Sequence, residues 1–419
     1  MRTLFLSFLC AVSLSVSAQK RIFIPEELRS IDFTWDSSRY SWMHSTQTRD
    51  LVFFWEKGFG DNPANPPQLE GHPMSFDLES LKDRVQYFYH FFRDTLRFSL
   101  PGSKADRYKM MVMINYSLEG TAYGGTYDNF IGALWVTPNR IQDRKFNCLA
   151  HELGHSFQLQ IQADSLSPCW GGSGFFEMTS QWMLWLVNPD WLTDENYHFE
   201  AFKKLTHKAY LDGSNIYHSP YVIAYWGEKH GLTSIADLYR DGRQGEDPVM
   251  TYQRHYGISQ QRFNDEMIDC YQRLVNLDYR HAYKETRRYA CQFATPMEAA
   301  GSGWSPKKEF TPEDYGFNAI RLTGCQSGKK VVATVAASDQ ALRQGGLRYG
   351  LVAVTAAGKA VYGKPVAHGG ASLKMPAEPL KAVYLVVMGA PAKHQRLSWD
   401  EKRPNRQYPY TVAFNKGVR

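Results

Sequence analysis

From about residue 30 to 60, aromatic and polar positions alternate, as in "RYSWMHSTQTRDLVFFWEKG", and this pattern predicts one or two strands. In "DLESLKDRVQYFYHFFRDTLRF" (77–98) apolar groups recur at helical spacing after an acidic start, which predicts a helix. "YKMMVMINY" (108–116) and "NFIGALWVTP" (129–138) have the texture of strands, separated by the glycine-rich "EGTAYGGTYD". The spacing predicts helices over 139–162 and 174–189, the second closed by Pro189, and further helical pattern near 198–211, 219–230, 233–240 and 258–275. After about residue 300 the texture changes. "GSGWSPKKEFTPEDYG" has the composition of a linker, and five short β-rich runs follow: "NAIRLTG", "KKVVATVAA", "RYGLVAVTA", "AVYLVVMGA" and "YPYTVAFN". Strands without intervening helices predict a β-sandwich or jelly roll, and no fixed repeat suggests a solenoid or propeller.

A chain of 419 residues exceeds what one compact core usually covers, so two domains are expected, at 19–300 and 301–419. Hydrophobic residues at 43% and charged residues at 21% are ordinary for a globular protein. The formal charge of +6 is small for this length and no dense Lys/Arg run occurs, so nucleic acid is not an expected partner. Residues 1–18 read as an export signal: Arg2, the apolar "LFLSFLCAVSLSV", then the small-residue site "VSA" ending at Ala18. The apolar run is too short for a comfortable membrane span and no later segment replaces it. The expectation is an exported protein, periplasmic, cell-surface or secreted, that begins near Gln19 once processed. Five cysteines remain: Cys148, Cys169, Cys270, Cys291 and Cys325. They are odd in number and scattered, without a CxxC, which argues against a disulfide scaffold or a thiolate-zinc site and leaves one or two bridges open.

The chemistry concentrates in "LAHELGHSFQLQ" (149–160). Residues four apart on a helix share a face, so His151 and His155 can direct imidazole nitrogens at one ion. Neutral imidazole suits zinc, and a catalytic zinc site wants three protein ligands and an open position. Glu152, beside His151, is placed to take a proton from water, as a general base should. Gly154 between the histidines would cost about 1 kcal/mol relative to alanine in a helix interior, which suggests that something approaches the helix closely there. The third ligand is expected at Glu177 in "GGSGFFEMTSQW", on the next helix. Among Phe175, Phe176, Met178 and Trp182 a bare carboxylate is costly unless paired with a cation. An extended substrate would lie along an edge strand, for which "GGTYDNFIGALWV" is the candidate. An electrophile for the developing oxyanion could come from "YHSPYVIAYWGEKHG": Tyr217, His218, Tyr221, Tyr225 or His230, with Tyr221 and Tyr225 on one helical face.

"HELGHSFQ" followed by Glu177 resembles the gluzincin zinc metallopeptidases, and the form that includes Gln158 is similar to enhancin-like, mucin-targeting peptidases. With "EDYGFNAIRL" and "NRQYPYTVAFN" the chain looks closer still to an exported bacterial zincin-like family of unknown function. The resemblance implies a fold of class α+β: a zincin-like catalytic domain with a mixed sheet over the active-site helix, then an all-β sandwich or jelly-roll domain. It implies Zn2+ held by His151, His155 and Glu177, Glu152 as general base and acid, and a protein or glycoprotein substrate. The C-terminal domain would contact carbohydrate or simply cap the fold. Many gluzincins carry an acidic residue four after the ligand glutamate; here that position is Gln181, which still accepts a bond from an imidazole N–H. The alternative is a zincin-shaped glycoprotein- or carbohydrate-binding protein with little turnover, and an intact Glu152 favours the enzyme.

Overall fold

The computed structural model describes residues 19–120, 122–164, 170, 174–396 and 404–419. The proposed export signal, Cys10 within it and Cys169 lie outside the described residues. The N-terminal sheet holds β1 (Ser45–Gln47), β2 (Leu51–Trp55), β3 (Met110–Ile114), β4 (Ala122–Tyr127) and β5 (Ile131–Val136), in the order β1-β2-β3-β5-β4. β2, β3 and β5 run parallel, and β1 and β4 lie antiparallel at the two edges. β2 and β3 are buried at every position, as parallel strands covered on both faces must be. The glycine-rich separator expected before β5 is therefore itself a strand, β4. Of the stretch expected to form the edge, the "GGTYD" part lies in β4 or its turn, whereas β5 is internal.

The helix Leu78–His90 starts at Asp77, whose carboxylate accepts from Ser80 N at 3.0 Å. It passes into a π-helical turn, Phe91–Thr95. Tyr89 and Phe92 meet Phe157 at ring separations of 5.2 and 5.9 Å and so join this helix to the motif helix, Asn147–Ala163. The motif helix begins eight residues later than the pattern predicts. Phe146 sits at φ 53°, a left-handed conformation that cannot continue a right-handed helix. Just ahead, Asp143 bonds Lys145 N at 3.0 Å and offers the backbone a turn instead. Ile141 and Phe146 fall within the predicted helix but precede the observed one, and both are buried. Beyond it come helices Phe175–Val187, Asn196–Leu205, Tyr221–His230, Ser234–Asp241, Pro248–His255 and Gln260–Leu274. Pro248–His255 lies outside the predicted helical stretches. Asp247, bonded to Met250 N at 3.0 Å, and Pro248 at its first position mark its start.

The C-terminal β region comprises β6 (Met297–Ala300), β7 (Gly303–Pro306), β8 (Phe317–Leu322), β9 (Lys330–Ala337), β10 (Leu347–Thr355), β11 (Ala360–Tyr362), β12 (Gly370–Lys374), β13 (Leu380–Gly389) and β14 (Tyr410–Phe414). They form two antiparallel sheets, β11-β10-β13-β8 and β12-β9-β14-β7-β6. The stretch read as a linker contains β7: Gly301, at φ 58°, turns β6 back onto it, so the small residues make a hairpin rather than a spacer. Alternation sorts the strand residues into two cores. Leu351, Ala353, Val383, Leu385 and Val387 face the second sheet through Ala333, Val335, Tyr410 and Val412. Val352, Val354, Tyr384, Val386 and Met388 face the other way, into the core shared with the helices. The four-stranded sheet is thus covered on both sides.

Candidate metal centre

Tertiary packing brings the two predicted histidines and Glu177 to one point. Glu177 Oε2 lies 3.0 Å from His151 Nε2 and 3.1 Å from His155 Nε2, and the two ring nitrogens are 3.1 Å apart. The motif helix supplies both histidines from one face, and Phe175–Val187 crosses it closely enough to deliver the carboxylate. Gly154 permits that crossing. A Cβ there would stand 2.8 Å from Ser180 Oγ and 3.3 Å from Ser180 Cα, so the close approach read from the sequence is the second helix itself.

The neighbours decide which ring nitrogens carry protons. His151 Nδ1 faces Gln181 Oε1 and His155 Nδ1 faces Gln158 Oε1, both at 3.2 Å. Gln158 donates through Nε2 to Phe176 O and Ser180 Oγ, which fixes its oxygen toward His155. Each imidazole is thereby held as the Nδ1–H tautomer, with the Nε2 lone pair aimed at Glu177. Two lone pairs and a carboxylate crowded within about 3 Å repel unless a cation or protons lie between them. Donors on a tetrahedral zinc at about 2.0–2.1 Å stand roughly 3.3 Å apart, close to the observed separations. The donor set therefore fits a divalent ion. In its absence the same crowding acts on protons. Burial raises the Glu177 carboxyl, but the bonds and charges of His151 and His155 outweigh it and hold the group well below the usual carboxylate range. Burial lowers His155, yet the Glu177 bond and charge win and raise it. The side chains are only 11%, 14% and 21% exposed, for His151, His155 and Glu177 in that order. Another potential ligand group among the described residues, Asp36, His44 and Asp61, has two exposed carboxylates.

Glu152 does not join the donors. Its Oε2 accepts from Gly124 N on β4 at 2.7 Å, which ties the expected base to the edge strand. Gly124 is needed for that approach, since a Cβ would lie 1.6 Å from Glu152 O. Gln181 accepts from His151 as expected and is buried. The two tyrosines singled out as transition-state stabilisers lie elsewhere. Tyr221 is fully buried, packed between Trp185 and Phe202, and the Tyr225 hydroxyl bonds Asp269 at 2.8 Å. Both lie on a helix whose residues Tyr221–Gly227 are all buried, so aromatic packing claimed them. Tyr217, four residues ahead of that helix, is the tyrosine at the centre. Its ring lies 6.3 Å from that of His151. Burial, then the charge and hydrogen bond of Glu177, raise its phenol. Sequence spacing already placed Gln181 four residues after Glu177; it gave no sign of Gly124, His198 or the Tyr217 carbonyl, which only folding brings near.

Cys148, one turn before Glu152, is pushed up to about 11 by burial and by the Glu152 charge. It, Cys270, Cys291 and Cys325 are unpaired, so none of the four described cysteines forms a bridge. No helix among the described residues is long and apolar enough to cross a membrane.

Fold and site together define a mixed α/β protein with a two-histidine, one-glutamate donor set suited to a divalent cation. The chain belongs to DUF6055, a family of unknown function, which it matches over residues 14–418. The curated proteins contain no match. Among solved structures, the ZmpB metallopeptidase from Clostridium perfringens aligns with 90% of this chain and 67% of its own, at 13% identity and a TM-score of 0.33.

Proposed function

We propose that this protein is an exported zinc-dependent metallopeptidase that hydrolyses peptide bonds in protein or glycoprotein substrates. The observation that carries the reading is the convergence of His151 Nε2, His155 Nε2 and Glu177 Oε2, with each Nδ1 facing an amide oxygen at 3.2 Å. Those three residues would hold zinc, which when bound supplies Lewis acidity that polarises a carbonyl and acidifies water. Glu152 is the general base: Gly124 N–H fixes Oε2, and Oε1 carries the proton from attacking water to the departing amine. Tyr217 is the donor to the developing oxyanion, replacing Tyr221 and Tyr225 in that role. β4 is the strand along which substrate pairs. The Gly124 N–H is engaged by Glu152 rather than β5, so alternation turns the Ala122 and Thr126 amides to the same outer side. The N-terminal eighteen residues support export.

Purified protein should contain about one zinc per chain, and less once His151→Ala or Glu177→Ala is introduced. Glu152→Ala should keep the metal while turnover falls about 10²–10⁴-fold. A mixture of glycosylated and bare proteins, incubated with wild type or Glu152→Ala and read by mass spectrometry of the products, identifies the substrate class. Cleavage undiminished in the variant removes Glu152 as base. A metal-loaded wild type that cleaves nothing favours the binding protein instead.

A further inference from the structure

Gln181 stands where many gluzincins carry an acidic residue, and its surroundings explain why an amide is required here. Its Nε2 lies 2.8 Å from Tyr217 O, a carbonyl that can only accept, so the nitrogen must be on that side. The same Nε2 lies 3.3 Å from His198 Nε2, while Oε1 turns to His151 Nδ1 at 3.2 Å. His198 Nδ1 in turn meets His218 Nδ1 at 2.7 Å, next in the chain to Tyr217. A carboxylate at position 181 could accept from His151 but would set its second oxygen against the Tyr217 carbonyl. The amide satisfies both sides at once, and it is 3% exposed, so water does not substitute.

We propose that Gln181 is a positioning residue with two roles: it orients the ligand His151 and anchors the segment that carries Tyr217 to the metal-bearing helix. His198 and His218 form the second strap of that anchor. Removing the amide therefore loosens residues 211–219, between helices Asn196–Leu205 and Tyr221–His230, even in metal-free protein. The ligand half of this proposal rests on the zinc reading; the anchoring half does not.

Three full-length variants separate the halves. Gln181→Glu keeps the acceptor for His151 and loses the donor to Tyr217. Gln181→Met keeps the shape and loses both. His198→Phe removes the strap and leaves the amide. The readouts are zinc titration of the apo protein and hydrogen exchange of peptides covering 211–219, with circular dichroism to select folded variants. Gln181→Met should lose about 10–100-fold in zinc affinity, as loss of an outer partner does, whereas Gln181→Glu stays within about threefold of wild type. All three should speed exchange across 211–219 by about tenfold or more while the motif helix stays protected. Unchanged exchange in the folded Gln181 variants overturns the anchor, and unchanged zinc affinity in Gln181→Met overturns the ligand half. Should wild type bind no zinc, the proposed function and the ligand half fall together, and exchange still decides the anchor. If Gln181→Glu does not fold, Gln181→Met and His198→Phe carry the exchange test.

Discussion

Glu177 is the residue on which the chemistry turns. It is a carboxylate among aromatic neighbours that meets two imidazole Nε2 atoms at 3.0 and 3.1 Å, and the hydrogen bonds and charges those rings supply hold it ionised. Glu177→Gln keeps the shape and removes the charge; it should weaken zinc binding by at least about tenfold in apo-protein titration. Tyr217→Phe tests the other side of the site. It removes one hydroxyl from a half-exposed ring and should leave zinc affinity unchanged, with kcat falling about 10²-fold. Wild-type kcat in that variant would return Tyr217 to the role of a substrate-facing surface.

The elements meet through glycines. At Gly124 the edge strand touches the backbone of the motif helix, and an added Cβ would stand 1.6 Å from a carbonyl that cannot rotate away. At Gly154 the added Cβ meets Ser180 Oγ at 2.8 Å, a side-chain atom that can turn, although Ser180 Cα at 3.3 Å cannot. Overpacking costs about 1–3 kcal/mol and sometimes more, against about 1 kcal/mol gained by replacing glycine within a helix. Steric cost should win at both positions, with Gly124→Ala losing more melting temperature than Gly154→Ala. The reverse order in calorimetry would show that β4 moves aside more easily than the helix pair.

At the scale of the molecule, the four-stranded sheet joins the β region to the helices. Gln272, on helix Gln260–Leu274, sends its Nε2 to Leu351 O and Gly363 O, at 3.1 and 3.0 Å. Gly350 on β10 leaves room for it: a Cβ there would come within 2.6 Å of Nε2. Gln272→Leu strands the buried Gly363 carbonyl, while Leu351 O keeps its bond from Gly363 N at 2.8 Å, and should cost about 1–3 kcal/mol, read as a lower denaturation midpoint. With apolar residues on both faces of this sheet, far-UV dichroism and tryptophan fluorescence should report one shared unfolding transition. Two separated transitions would mean that this core does not couple the halves.

Local pattern was enough for much of this protein. The motif helix, Glu177 on the helix after it and the five C-terminal β runs are legible because period 3.6, period 2 and i,i+4 spacing are properties of neighbours in the chain. So is the close approach at Gly154, since a glycine inside a helix has a cost that demands a reason. The start of the motif helix was not legible, because a left-handed Phe146 overrides a continuing apolar rhythm. Nor was the choice among tyrosines: Tyr221 and Tyr225 share the expected helix, but that helix faces the core, and Tyr217 reaches the centre from the preceding loop. Contacts such as Gly124 to Glu152 and Gln181 to Tyr217 join residues 28 and 36 apart in the chain. No periodicity spans such distances, so only the packing of whole elements could decide them.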